Sequence, residues 1–168
     1  MNRHCCPGLA SRSCADRERR KVEIDFLYLD LNVCTRCKGT DANLDAALAE
    51  VPGMLRTAGF DVVVNKVNIT SSELAVEYEF LSSPTIRVNG RDIEPDVEES
   101  SCESCGDLCG GSVDCRVWTH EGVEYAVPPK ELIINAILRE VCSDTRISTQ
   151  DKCEYRIPHN LEVFFRGR

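Results

Sequence analysis

The chain has 168 residues, with 28 acidic against 20 basic side chains and a formal charge of -8. A polyanion-binding surface needs a basic patch, and no such cluster occurs, so nucleic acid is not an expected partner. Cysteine is the unusual component: there are 11, an odd number that leaves at least one thiol without an intramolecular partner.

Residues 1 to 21 carry charge and cysteine without an apolar period and read as a mobile arm. The arm lacks the apolar core, about seven residues or longer, of a signal peptide. No later stretch is apolar enough to span a bilayer. The expected location is therefore the cytoplasm, where thiols stay reduced and clustered cysteines serve metal binding, thiol chemistry or redox sensing more often than structural bridges.

Residues 22 to 31, "VEIDFLYLDL", read as a mostly buried strand. Leu44, Leu48, Val51 and Leu55 recur at helical spacing and predict a helix from about Cys37 toward Ala58, which Pro52 should kink or end. "FDVVVNKVNI" is a second strand, and Thr70 with Glu73 makes a capping-box pattern ahead of a short helix. "PTIRV" is a third strand, turned by Asn89-Gly90 into "RDIE".

Residues 95 to 114 read as an acidic loop carrying Cys102, Cys105 and Cys109. "CRVWTHEGVEYAV" predicts an extra hairpin turning at Glu121-Gly122 and packed by Trp118 and Tyr125. "PPKELIINAILREV" predicts a last helix burying Ile133, Ala136, Ile137 and Val141. Residues 142 to 168, with Cys142 and Cys153, lose the period and are expected to wrap the surface or remain mobile. The order predicts an α/β domain over 22 to 141 with a cysteine-rich insert at 95 to 114. Its mixed central sheet, flanked by helices, has a parallel first strand-helix-strand unit and antiparallel strands added by the hairpin.

The stretch "LNVCTRCKGT" places Cys34 at a helix start, where unpaired N–H groups and the helix dipole stabilise a thiolate. Arg36 and Lys38 add positive charge, so the Cys34 pKa is expected to fall below about 8.5. Cys37, one turn along, is placed to resolve a mixed disulfide formed at Cys34. The charged neighbours Arg36, Lys38 and Asp41 suggest that this turn meets solvent.

A strand, a C-x-x-C at the next helix start and "SSPTIRVNG" before a hairpin resemble the thioredoxin superfamily over about residues 22 to 141. The resemblance implies a thioredoxin-like fold in which Pro84 is cis and, with Ser83, presents backbone to a bound partner. It implies a thiol-disulfide oxidoreductase in which Cys34 attacks and Cys37 resolves, acting on a protein disulfide or small thiol without a required cofactor. Thr35-Arg36 replaces the Gly-Pro of thioredoxins, and only Asp25 and Asp30 stand near the place of their buried acid. The whole chain is similar to an uncharacterised bacterial family of thioredoxin-like domains with a cysteine-rich insert.

"CESCGDLCGGSVDC" brings Cys102, Cys105, Cys109 and Cys115 close in sequence, and four thiolates suit zinc or an iron-sulfur centre. The competing readings are a redox-active disulfide at Cys102 and Cys105, or incidental thiols. A set of Cys34, Cys37, Cys102 and Cys105 is a further metal arrangement, one that would occupy the nucleophile. The alternative to an oxidoreductase is thus a metal- or metalloid-binding carrier or sensor without turnover. In the arm, His4, Cys5, Cys6 and Cys14 are easily oxidised groups or soft-metal ligands. His120 and His159 stand alone.

Overall fold

A computed structural model describes residues 19–143 and 154–167. The readings made for the arm, including His4, Cys5, Cys6 and Cys14, and for Cys153 fall outside these residues.

Four strands form the main sheet: β1 (Arg20–Tyr28), β2 (Phe60–Asn68), β3 (Thr85–Val88) and β4 (Arg91–Asp92), in the order β2-β1-β3-β4. β1 runs parallel to β2 and antiparallel to β3, so the sheet is mixed. The β3–β4 turn has Asn89 and Gly90 at φ 51° and 78°, the paired left-handed conformation that Asn-Gly supplies at least cost.

Alternation along β1 divides the core between the two faces of the sheet. Val22, Ile24 and Phe26 pack with Leu44, Ala47, Val51 and Leu55 of α1 (Thr35–Thr57) and with Ile133 and Ile137 of α4 (Lys130–Cys142). Leu27 and Leu29 belong to a second cluster with Ala75 of α2 (Ser72–Glu77), Phe80, and Leu161 and Phe164 of α5 (His159–Gly167). Five cysteines lie in that second cluster.

Several expectations are corrected. Pro52 does not end α1, which continues to Thr57 because Val51 and Leu55 remain buried on either side of it. The cap of α2 is Ser71, not Thr70: the Ser71 hydroxyl accepts the Leu74 N–H at 3.4 Å. Residues 95 to 114 are not a plain loop. They contain β5 (Glu98–Ser101) and α3 (Glu103–Cys109), and β5 joins β6 (Asp114–His120) and β7 (Val123–Tyr125) in a second, antiparallel sheet of order β5-β6-β7. Residues 159–167 form a helix whose Leu161 and Phe164 are fully buried.

The hairpin turn at Glu121-Gly122 stands as expected, with both residues at positive φ. Trp118 reaches beyond that hairpin into the main core and is 0% exposed. No helix among the described residues is long and apolar enough to cross a membrane.

Candidate metal centre

The carboxylate of Asp30 accepts the N–H groups of Asn32 and Val33 at 2.6 and 2.7 Å, shaping the turn that leads from β1 into α1. Asp30 is therefore a turn-former. Asp25 lies at the sheet surface, bonded to Asn65 across the β1–β2 pair. The turn delivers Cys34 as the N-cap of α1, with its sulfur accepting the Cys37 N–H at 3.4 Å.

The insert and the strand that follows it supply three more sulfurs. Cys102 caps α3, Cys105 lies in its first turn, and Cys115 is on β6 opposite Ser100 of β5. The Sγ atoms of Cys34, Cys102, Cys105 and Cys115 all lie within 4.8 Å of one another, and all four residues are buried. The Cys105 and Cys115 sulfurs are 3.3 Å apart. This group joins the two cysteine motifs that the sequence presents separately.

Cys37 and Cys109 stand outside it. The Cys37 sulfur is 3.3 Å from the Ser83 hydroxyl, which accepts the Leu29 N–H at 3.2 Å. The Ser83–Pro84 peptide bond is cis, and the Ser83 carbonyl accepts the Arg116 N–H at 2.8 Å, so this turn carries the insert sheet. Cys109 is partly buried, with its sulfur facing the carbonyls of Gly106 and Gly111. Cys142 is exposed at the end of α4. His159 is exposed, 3.8 Å from Glu162, and His120 ends β6.

The first turn meets solvent at Thr35 and Lys38, as expected, but its two cysteines do not. Cys34 and Cys37 are 0% exposed because the insert covers them. Arg36, expected to activate a thiolate, instead fastens that cover. Its guanidinium donates to the Cys115 and Ser101 carbonyls at 2.9 and 2.8 Å, to the Ser100 hydroxyl at 2.9 Å and to the Arg116 carbonyl at 3.3 Å. Arg36→Ala should leave these acceptors partly unpaired and cost about 2–4 kcal/mol. Arg36→Lys should restore little of that loss, because a point charge cannot replace the planar fork. Urea denaturation of the two variants tests the assignment, and equal wild-type stability in both would refute it.

Arg116 is a second organiser, one to which the sequence reading assigns no role. It is 0% exposed, pairs with both Asp92 oxygens at 2.8 Å, donates to the Thr85 hydroxyl at 3.0 Å and to the Glu94 carbonyl, and stacks over the Trp118 ring. It locks β6 to the β3–β4 end of the main sheet.

The electrostatics follow from sulfurs crowded away from water. Without a cation the group cannot carry four negative charges, so the thiols share protons. Cys34 is held well below the ordinary thiol range, chiefly by the Cys102 S–H, then by Cys105, Cys115 and Cys37, against the opposing effect of burial. Cys102 falls to about 7 through hydrogen bonds from Cys105 and Cys115. Cys37 is pushed up by the hydrogen bond it gives Cys34 and by burial. Cys105 is raised chiefly by its bond to Cys102, and Cys115 by its bonds to Cys102 and Cys105. The depressed Cys34 pKa thus has the expected direction, with neighbouring thiols as its principal cause.

Fold and site together define an α/β domain with a buried four-cysteine group that can hold a metal ion. The chain belongs to the family described as Domain of unknown function (DUF2703), whose model matches residues 22–137. Neither a curated protein nor a solved structure matches it.

Proposed function

We propose that this protein is a metal-binding thiolate protein, with one tetrahedral ion held by Cys34, Cys102, Cys105 and Cys115 on a thioredoxin-like scaffold. The observation that carries the reading is the compact set of four buried sulfurs. Metal–sulfur bonds of about 2.3 Å place tetrahedral sulfurs about 3.8 Å apart, within the spacing of this group. An iron-sulfur cubane attaches each thiolate to a different iron and spreads the sulfurs more widely. The donor set therefore favours a single ion, and zinc is the ion whose chemistry four thiolates suit best.

Four protein ligands leave no open coordination position, which is the pattern of a holding site rather than a Lewis-acid catalyst. Two ligands come from the insert, one from β6 and one from the start of α1, so loading would tie the insert and its sheet to the main sheet. The strand, C-x-x-C helix start and Ser83-Pro84 before a hairpin support the thioredoxin-like scaffold. A reducing compartment, the cytoplasm, suits four free thiolates.

Thiol-disulfide exchange at Cys34 and Cys37 is the second reading. It is favoured by the contact of Cys37 with Ser83 and by the Cys37 N–H aimed at the Cys34 sulfur. It belongs to the metal-free chain, in which Cys34 can leave the group to attack. Elemental analysis of protein purified under anaerobic conditions should find one divalent ion per chain. Reduced protein that contains no metal and takes up no zinc, yet reduces a model disulfide in a Cys34-dependent way, would reverse the order of the two readings.

A further inference from the structure

Cys37 is the buried sulfur that the metal set leaves unused. It is 0% exposed, and its backbone N–H donates to the Cys34 sulfur across 3.4 Å, which sets the two residues against each other at the start of α1. Ser83, 3.3 Å from the Cys37 sulfur, holds the thiol from the other side. One metal ligand thus has a second, non-coordinating cysteine beside it in the same buried cluster.

We propose that Cys37 is the release thiol of the centre: when a peroxide oxidises Cys34, Cys37 forms a disulfide with it and removes that ligand from the ion. This rests on the metal centre proposed above. Burial selects the oxidant. A peptide disulfide needs an in-line path to sulfur, which burial of Cys34 and Cys37 blocks, whereas hydrogen peroxide is close to water in size and needs only a small local opening of the fold.

The Cys34 thiolate attacks one peroxide oxygen, the O–O bond breaks, and the products are Cys34 sulfenic acid and hydroxide. The Cys37 sulfur, losing its proton, then attacks the sulfenic sulfur, and the hydroxyl leaves as water. In sum, one thiolate and one thiol lose two electrons, peroxide gains them, and a disulfide, water and hydroxide result. The ion keeps three thiolates and gains an open position through which a competing ligand can extract it. Oxidation within the Cys102 and Cys105 pair would instead consume two ligands at once.

Zinc-loaded full-length protein is treated with equimolar hydrogen peroxide in the presence of a chromogenic zinc chelator, and its disulfides are mapped by peptide mass spectrometry. Zinc release should accompany a Cys34–Cys37 disulfide, and dithiothreitol with added zinc should restore the loaded state. Cys37→Ser should bind the same amount of zinc, release it about tenfold more slowly, and accumulate Cys34 sulfenic acid that dimedone traps. Zinc retained after oxidation, release at the wild-type rate from Cys37→Ser, or a map showing only insert disulfides would overturn the inference while leaving the metal centre intact. If Cys37→Ser does not fold, the wild-type disulfide map decides alone. A reduced chain that takes up no zinc overturns both proposals.

Discussion

Cys105→Ser should weaken zinc binding by about a hundredfold, while Cys109→Ser should leave stoichiometry and affinity unchanged. The two residues lie one turn apart on α3, but only Cys105 brings its sulfur into the four-cysteine group. A four-thiolate zinc centre contributes about 10–16 kcal/mol of apparent binding free energy. Exchanging one thiolate for a weaker hydroxyl donor should remove roughly 3 kcal/mol of it, or about two powers of ten. Competition against a chelator of known affinity reads both variants. Equal losses in both would move the site toward the Cys109 side of α3, and no loss in either would remove the insert from the site.

Asp92→Ala is expected to be the most destabilising substitution outside the centre. It removes the carboxylate that pairs with both guanidinium nitrogens of a fully buried arginine, leaving Arg116 charged and enclosed. Breaking a buried pair from one side costs about 3–5 kcal/mol, so thermal unfolding should occur roughly 10 °C lower. Because Arg116 lies next to Cys115 on β6, the same change should also weaken zinc binding. A melting temperature within about 2 °C of wild type would mean that the Glu94 carbonyl and Thr85 hydroxyl suffice for Arg116. Replacing Arg116 and Asp92 together by apolar residues should be milder than Asp92→Ala, since no isolated charge remains.

Much of the main domain was legible because its signals are local. The apolar run of β1, the heptad-like spacing from Leu44 to Leu55 and the Asn89-Gly90 turn each report a structure that nearby residues determine. The insert offered weaker signals. β5 consists of "EESS", all exposed, and forms a strand only because β6 presents an edge to pair with. In α5, Leu161, Phe164 and Phe165 after Pro158 have helical spacing, but the pattern is short and its burial comes from packing on the cysteine cluster.

The candidate site divides in the same way. Composition and spacing alone determined that this protein has an excess of thiols, that Cys34 begins a helix, and that the insert concentrates possible ligands. The tertiary structure alone decided that Cys34 joins Cys102, Cys105 and Cys115, that Cys37 turns toward Ser83, and that Cys109 stays apart. The separation of roles is physical: local residues set backbone conformation, whereas bringing sulfurs up to 81 positions apart into one buried group depends on how the insert docks. That docking rests on Arg36 and Arg116, whose partners are mostly backbone carbonyls and distant side chains, and a carbonyl acceptor leaves no mark in a sequence.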